Sequence, residues 1–322
     1  MATTPLNASS RIIHEEAMRK GISCIVFDDA ETILMEKKNH RWYTRGSRTS
    51  LQSSVGKTIA DFKPLTKKVL KHFELPTAHF ALVKNVEELG KIRELQFPIV
   101  MKPVDERHGK GVVVSIQNFE DAASLYQSLQ KPMLFEEMLN GTEYRVVCVN
   151  FEFVAAAFRK PAHVIGNGEQ TIQQLIDEKN KHPWRGKGHS NNLSLILVDE
   201  TVEKILQEQN YTIDSTPPKG AEVLLRKTAN LSTGGEAWDV TEKVCAENSQ
   251  LFEKIARACD LNVIGIDVMC ESLETPIMLQ KKAGIIEVNA SPGLRMHHYP
   301  IQGKSVNVAG KILDMVLKHY AI

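Results

Sequence analysis

Two short runs near the C-terminus, residues 264–269 (IGIDVM) and 285–289 (IIEVN), set single polar side chains among apolar ones. Successive side chains of a strand point to opposite faces, so Asp267 opposes its apolar neighbours while Glu287 and Asn289 share one face. If the runs are neighbouring strands, two carboxylates and an amide oxygen converge on one side of a sheet. Magnesium prefers such oxygen ligands when it also binds substrate phosphates. The alternative is a pair of solvated polar strand faces.

Hydrophobic periodicity predicts the remaining elements. Strand patterns lie at 22–27, 97–102, 111–116, 133–138, 263–270 and 285–289, and helical patterns at 65–73, 119–130, 171–180, 193–207, 248–258 and 306–319. Residues 143–159 read as a hairpin about Asn150, whereas 36–57 follow no clear period. Because hairpins interrupt the alternation of helix and strand, we expect an α+β fold with a mixed or antiparallel sheet. The strong periodicity begins near residue 60, which is a plausible domain boundary.

Composition and charge exclude several classes of protein. The 322 residues are 42% hydrophobic and 25% charged, as in ordinary globular chains. Forty basic against thirty-nine acidic side chains give a net charge of +1, so we expect neither nucleic acid nor a membrane surface as partner. The five cysteines are scattered without a C-x-x-C pair, which favours reduced thiols and a cytoplasmic location. No long apolar run predicts a signal peptide or membrane span.

Glycines and cations offer candidate anion sites. His108, Gly109 and Gly111 lie between two predicted strands, where glycines would let the backbone close over a phosphate, although a hairpin turn has the same composition. The run 226–235 (RKTANLSTGG) combines two cations, an amide and small residues, which suits a loop that neutralises a transferring phosphoryl group or a simple polar loop. Arg295 follows the metal candidates and could clamp a carboxylate or a phosphoryl group.

Other candidates are single charged residues near predicted strands and helices. Lys102 ends a strand pattern and Lys63 precedes a helix, although lysines more commonly lie on the surface. Glu136 and Glu143 could accept hydrogen bonds from an adenine amino group and ribose hydroxyls. The sequence has no H-E-x-x-H or G-x-S-x-G motif, so a covalent protein nucleophile is not supported.

With these residues in this order, the chain resembles the ATP-grasp ligases from about residue 20 to its C-terminus. Longer strings are similar to the ATP-grasp module of cyanophycin synthetases and, somewhat less, to that of bifunctional glutathione synthetases. These strings are 160–168 (KPAHVIGNG), 185–189 (RGKGH), 228–235 (TANLSTGG), 239–241 (DVT) and 287–297 (EVNASPGLRMH).

The resemblance implies an ATP-grasp fold, in which two α+β subdomains clasp the nucleotide. A short pre-ATP-grasp segment would occupy 1–60 and the ATP-grasp domain 61–322. Within that domain, 61–160 would clasp the nucleotide, 161–220 would form a lid, and 221–322 would carry the metal-binding catalytic sheet.

The resemblance also assigns roles to residues that match the family's motifs. It implies ATP and two Mg²⁺ ions, with Asp267, Glu287 and Asn289 as the metal ligands. The residues implied to bind the nucleotide are Lys63, Lys102, His108, Gly109, Gly111, Glu136, Leu139, Glu143 and Asn230. Those implied to act at the reacting groups are Arg226, facing the γ-phosphoryl group, and Arg145 and Arg295, gripping substrate carboxylates.

The implied activity is that of an ATP-dependent carboxylate–amine ligase. Through an acyl phosphate, it would add an amino acid or amine to a small acid or peptide. The further domains of the two resembling families have no counterpart in these 322 residues, so we expect a free-standing ligase, and the family implies a homodimer. The alternatives are a glutathione-synthetase-like enzyme acting on a γ-glutamyl dipeptide and a non-catalytic or partner-dependent nucleotide-binding protein.

Overall fold

The computed structural model describes residues 6–29, 31–104, 111–187 and 191–322. The α-helices in these ranges are α1 (Ala8–Arg19), α2 (Ser54–Asp61), α3 (Lys63–His72), α4 (Phe119–Leu129), α5 (Ile172–Asn180), α6 (Glu200–Glu208), α7 (Ala246–Ala258), α8 (Arg295–His298) and α9 (Val308–His319). The strands are β1 (Ser23–Val26), β2 (Thr32–Lys37), β3 (His40–Arg45), β4 (Arg48–Thr49), β5 (Phe80–Val83), β6 (Ile99–Pro103), β7 (Val113–Ile116), β8 (Met133–Glu137), β9 (Thr142–Val149), β10 (Glu152–Lys160), β11 (His163–Ile165), β12 (Arg185–Gly186), β13 (Leu193–Ser194), β14 (Glu222–Leu224), β15 (Glu236–Asp239), β16 (Val263–Cys270) and β17 (Gly284–Asn289). This mixture of helices and mainly antiparallel strands confirms the α+β class.

The chain forms two compact units. The first unit contains Met1–Ser50, Ala155–Thr241 and Gly293–Ile322, and the second contains Leu51–Val154 and Glu242–Pro292. The expected division of the chain at residue 60 stays a prediction about its domains.

The first unit contains an antiparallel sheet in the order β1-β2-β3-β4. Its inner face buries Ile33, Met35 and Trp42, and Trp42 stacks on Tyr320 just after α9. Helix α1 contacts both this sheet and α9. A second apolar cluster in this unit packs α5 and α6 against the paired strands β11 and β14. Elsewhere in the unit β10 pairs antiparallel with β15.

The second unit contains the strands that carry most of the predicted site. One antiparallel sheet has the order β5-β8-β6-β7, and its core includes Met101, Tyr126 and Phe135. Strands β9, β16 and β17 pair antiparallel in that order, and α7 contacts β9 and β16. Phe252 of α7 is fully buried, in accord with the amphipathic pattern of its sequence.

Most predicted elements are confirmed within a few residues. The hairpin expected about Asn150 turns through Asn150 and Phe151, whose φ angles are 54° and 62°. The helix predicted over 193–207 is wrong in its first half, because Leu193–Ser194 instead pairs as a strand with Arg185–Gly186. Helix α6 follows its N-cap Asp199, which accepts a hydrogen bond from the Val202 N–H at 3.1 Å.

The stretch 36–57, left unassigned from sequence, contains β3, β4 and the start of α2. The alternation of β3 is obscured because the polar Thr44 is buried while the aromatic Tyr43 is exposed on the opposite face. Among the described residues, no helix is both long and apolar enough to cross a membrane.

Truncating the buried ring of Phe252 should destabilise the protein. We expect Phe252→Ala to lower the free energy of unfolding by about 3–5 kcal/mol, because it removes apolar contacts and leaves a cavity. Urea denaturation followed by circular dichroism measures this change. The matched control is Phe73→Ala, since Phe73 is 55% exposed; it should shift stability by less than about 1 kcal/mol. Equal losses in the two variants would contradict the assigned core.

Candidate active site

The two acidic runs are neighbouring strands, and their polar side chains meet. Asp267 of β16 lies directly opposite Glu287 of β17. Asn289 lies two residues beyond Glu287 on the same strand face, and its Nδ2 is 3.5 Å from Glu287 Oε1. The structure therefore brings the three predicted metal ligands to one face of one sheet.

A third charged residue joins this face from the other side of β16. Arg145 of β9 lies opposite Asp267 and bonds it through both guanidinium edges, with Nη2 2.9 Å from Oδ2 and Nε in contact with Oδ1. Asp267 is 2% exposed and Arg145 is 8% exposed. The guanidinium of Arg145 thus neutralises the carboxylate of Asp267, one of the predicted metal ligands. The expected binding of a substrate carboxylate by Arg145 stays a prediction.

The electrostatics leave this centre short of positive charge. Burial raises the pKa of Glu287, and the neighbouring Asp267 carboxylate raises it further. Burial alone would lower the pKa of Arg145, but Asp267 and Glu287 raise it. Two carboxylates facing one guanidinium fit a bound cation, and carboxylate and amide oxygens suit Mg²⁺. No group of three or more His, Cys, Asp or Glu side chains in the described ranges is arranged to hold a metal. Further ligands would then come from a substrate phosphate or water.

A glycine allows the segment after β17 to approach this face. A Cβ on Gly265 would lie 2.7 Å from Cβ of Pro292 and 3.5 Å from Cδ of Arg145. Gly265 is paired with Asn289 across the strands. A side chain at this position would therefore displace the arginine or the loop beside the candidate metal ligands.

A second buried charge cluster in the same unit joins two lysines to Glu136. Glu136 Oε2 accepts a hydrogen bond from Lys102 Nζ at 2.9 Å and lies 3.3 Å from Lys67 Nζ. Lys67 Nζ also donates to Thr77 Oγ1 at 2.9 Å and to the Ile285 carbonyl at 3.0 Å. Lys67 therefore ties helix α3 to strands β8 and β17.

The charge states of this cluster follow from burial and pairing. Burial would raise the pKa of Glu136, but the Lys67 and Lys102 ammonium groups outweigh it and lower that pKa. Burial lowers the pKa of Lys67 to about 8, against the opposing attraction of Glu136. Glu136 Oε1 is buried without a hydrogen-bond partner among the described residues. An unpaired buried acceptor is costly, so this oxygen fits a donor group on a ligand, such as an amino group.

Lys67 is a candidate site residue that sequence reasoning missed. The predicted lysine, Lys63, is the first residue of α3 and is half-buried, whereas Lys67 is 1% exposed. The signal that could have found Lys67 is its position in the helical pattern. Lys67 precedes the buried Leu70 by three residues and therefore lies on the same, buried face of the helix. The usual preference of lysine for the surface concealed it.

Other predicted nucleotide contacts are placed less completely. His108 and Gly109 lie outside the described residues. Gly111 adopts a positive φ of 69°, and a Cβ there would come within 3.0 Å of Pro103, which explains the glycine. Leu139 follows β8 and is half-buried, and Glu143 of β9 is opposite Met269. These five nucleotide assignments stay predictions.

Arg226 and Asn230 belong to the first unit, where Arg226 forms a bidentate ion pair. Its Nη1 and Nη2 lie 2.8 Å and 2.7 Å from the two carboxylate oxygens of Asp199. Arg226 Nε is buried without a partner among the described residues. Asn230 Nδ2 lies 3.4 Å from Thr228 Oγ1. The resemblance implies that Arg226 faces the γ-phosphoryl group of ATP. For this, the phosphoryl group would have to replace Asp199 as the partner of Arg226 or bind beside Asp199.

Arg295 also lies in the first unit and has no acidic partner in the part of the chain described. Its Nη1 donates to the Asn191 carbonyl at 3.0 Å, while the nearby Arg11 donates to Asn192 Oδ1 at 2.6 Å. Burial lowers the pKa of Arg295, and Arg11 lowers it further. A half-buried guanidinium beside a second one fits an anionic ligand such as a carboxylate.

An ion-pair cluster that joins three residues of the predicted lid region to Glu236, which lies beyond that region, was not identified from the sequence. Glu236 Oε1 lies 2.7 Å from Arg185 Nη2 and 2.9 Å from Lys179 Nζ, and His163 Nε2 is 4.0 Å from Oε2. These residues come from four separate elements, and Lys179, Arg185 and Glu236 border an open cleft of about 540 Å³. None of the predicted site residues that the structure describes lines this cleft.

Three of the five cysteines are poorly suited to covalent chemistry. All five are free thiols, in accord with the expectation from their spacing. Burial raises the pKa of Cys259 and of Cys270 to about 12. Burial also raises the pKa of Cys148. Because the thiolate is the nucleophile, these three side chains are inert near neutral pH.

The RimK-like ATP-grasp domain model matches residues 60–182 and 225–316. A cyanophycin synthetase of Synechocystis sp. is 35% identical, with 98% of this chain aligned to 37% of that protein. The bifunctional glutathione biosynthesis protein of Clostridium perfringens is 31% identical over 97% of this chain and 41% of its own length. The crystal structure of a bifunctional glutathione synthetase from Pasteurella multocida superposes with a TM-score of 0.79 and 29% identity, covering 98% of this chain and 44% of that one. The chain thus spans less than half the length of these relatives.

The depressed pKa of Lys67 predicts a pH dependence of stability. Its pKa of about 8 lies below the ordinary 10.5, so between these values the unfolded chain binds more protons than the native protein. Stability should therefore rise as pH increases through this window. Lys67→Met removes this contribution, so its urea midpoint should gain less than the wild-type midpoint between pH 8 and pH 10. The exposed Lys68→Met serves as control, and identical pH profiles for Lys67→Met and wild type would contradict the assignment.

Proposed function

The chain belongs to the RimK-like ATP-grasp domain family, and from that premise we propose that it is an ATP-dependent carboxylate–amine ligase. It would join an amino acid or amine to a small acid or peptide through an amide bond. The observation that supports this most directly is the buried pair Asp267 and Glu287, which Arg145 and Lys102 compensate only in part, so that the pKa of Glu287 stays raised. That charge deficit suits a cation that accompanies a nucleotide.

Asp267, Glu287 and Asn289 would hold Mg²⁺, with two ions bound when ATP is present. The enzyme would be cytoplasmic. When bound, Mg²⁺ neutralises phosphate charge and thereby favours attack on the γ-phosphorus. The residues present fit this group, because they supply three oxygen-bearing side chains on one face and an uncompensated carboxylate.

Lys102 would bind the nucleotide beside Glu136, whose carboxylate Lys67 holds from the buried side. Lys102 is partly exposed, so its ammonium group can reach phosphate oxygens while it remains paired with Glu136. The unpaired Oε1 of Glu136 would accept from the adenine amino group. Lys63 at the start of α3 would add a further cation, as the family resemblance implies.

The reaction needs positioning and charge neutralisation more than acid–base chemistry. A carboxylate oxygen of the acid attacks the γ-phosphorus, and the bond from that phosphorus to ADP breaks. The amine nitrogen then attacks the acyl carbon, phosphate departs with the former carboxylate oxygen, and the nitrogen loses a proton. Arg226 would face the transferred phosphoryl group and Arg295 a substrate carboxylate. The buried, high-pKa cysteines are consistent with direct transfer between the substrates.

The test is to incubate purified protein with ATP, magnesium and pools of amino acids and short acidic peptides, measuring ADP and analysing products by mass spectrometry. A product lighter by one water than the sum of its parts would support the ligase and identify its substrates. A γ-glutamyl dipeptide with glycine belongs in the pools, because the relatives include glutathione enzymes. ADP without a condensed product, or no ADP in any pool, would contradict the proposal.

Replacing Glu287 should abolish turnover. We expect Glu287→Gln to reduce ADP formation by at least about 100-fold, because the neutral amide keeps the side-chain shape and removes a charged metal ligand. The exposed Glu271→Gln on the same unit is the control and should keep wild-type turnover. Unchanged ADP formation in Glu287→Gln would reject the metal assignment.

Asp199 should compete with the nucleotide for Arg226. Asp199→Asn keeps an efficient N-cap on α6 but removes the charge that pairs with Arg226. We expect the KM for ATP to fall by up to about fivefold, because this factor corresponds to the free energy of a partly exposed ion pair, up to about 1 kcal/mol. The control is Glu208→Gln, which breaks the neighbouring pair with Lys227. A raised KM in Asp199→Asn would contradict competition between Asp199 and the nucleotide.

A further inference from the structure

An exposed row of apolar side chains crosses the outer face of the first unit's four-stranded sheet. Ile25, Leu34 and Tyr43 lie opposite one another on β1, β2 and β3. Ile25 is 59% exposed and Tyr43 is 52% exposed, and the ring of Phe27 lies 6.3 Å from that of Tyr43. We call Ile25, Phe27, Leu34 and Tyr43 the outer apolar row. It ends at β1, which forms one edge of the sheet.

The free edge of β1 is suited to pairing with another strand. The Phe27 N–H donates to the Thr32 carbonyl at 3.0 Å, which fixes the odd-numbered backbone groups of β1 toward β2. The N–H and C=O groups of Cys24 and Val26 consequently point away from the sheet. Residues 22–27 contain no proline and no charge, the features that usually prevent edge pairing.

Charges beyond the two ends of β1 make the edge complementary to itself. Lys37 and Lys38 lie near its first residue, since Glu36 is opposite Ser23, and neither forms an ion pair among the described residues. Asp28 follows its other end. Arg45 pairs with both nearby acids, Asp29 and Glu31, and leaves Asp28 as a negative charge. An antiparallel copy of the strand would therefore set opposite charges near each other.

We propose that a second copy of this chain docks on the edge of β1, with the two β1 strands antiparallel about a two-fold axis at Ile25. In this register Cys24 of each copy faces Val26 of the other, and the outward backbone groups of both residues exchange hydrogen bonds. Asp28 of the second copy then lies opposite Ile22, about two strand spacings, ~10 Å, from Lys37 on the same sheet face.

This pairing also joins the outer apolar rows of the two copies. Ile25 meets its symmetry mate directly, so the row runs unbroken through both sheets and Ile25, which is 59% exposed in one copy, gains an apolar neighbour. A single short strand supplies a small interface, so the dimer should dissociate on dilution.

The experiment is sedimentation velocity on the full 322-residue chain over about a hundredfold range of concentration. Wild type should shift from monomer to dimer as concentration rises. Ile25→Asp and Ile25→Lys each place like charges face to face, so each variant by itself should weaken the dimer by at least about tenfold. An equimolar mixture of the two variants should restore dimer, because opposite charges then meet at the axis.

The control is Leu279→Asp, which introduces the same charge at a side chain that is 81% exposed and lies outside this sheet. It should keep the wild-type association. Circular dichroism checks that the variants fold. A restored dimer in the mixture of Ile25→Asp and Ile25→Lys shows independently that both variants are folded. Three results would each overturn the proposal: monomeric wild type at every concentration, unchanged association of Ile25→Asp, or a mixture that stays monomeric.

Discussion

The candidate site depends on the antiparallel pairing of β16 with both β9 and β17. This pairing sets Arg145, Asp267 and Glu287 side by side on one sheet face. Burying two carboxylates with one guanidinium is costly unless another positive charge completes the group. The raised pKa of Glu287 is the protein's own response to that deficit. A cation delivered with a nucleotide would remove it, which links the fold of the sheet to the proposed chemistry.

The second charge cluster shows the opposite balance. Two ammonium groups, from Lys67 and Lys102, meet the single carboxylate of Glu136. Lys67 also binds the carbonyl of Ile285 on β17, the strand that carries Glu287. The cation-rich cluster and the acid-rich centre are therefore held by one strand. An anionic nucleotide accompanied by a cation would complement both, which is the physical basis of the proposed ATP site.

The sequence predicted those parts of the site that depend on local periodicity. Alternation along β16 and β17 was enough to place Asp267, Glu287 and Asn289 on one face. Partners that meet only through the tertiary fold could not be predicted. Lys67 looked like a surface lysine, and Arg185 and Glu236 lie 51 positions apart in the chain. The helix predicted over 193–207 failed for the same reason, because the partner of Leu193–Ser194 is a separate two-residue strand.

The central claim is that the face formed by Asp267, Glu287 and Asn289 binds a divalent cation. It is tested most directly by titrating the protein with Mn²⁺ in the presence of ADP and measuring free Mn²⁺ by electron paramagnetic resonance. We predict saturable binding that strengthens as pH rises, since burial and Asp267 raise the pKa of Glu287 and protons compete with the cation for this carboxylate. We also predict that this binding is lost in Asp267→Asn. Binding of equal affinity in wild type and Asp267→Asn, or no saturable binding in wild type, would contradict the account.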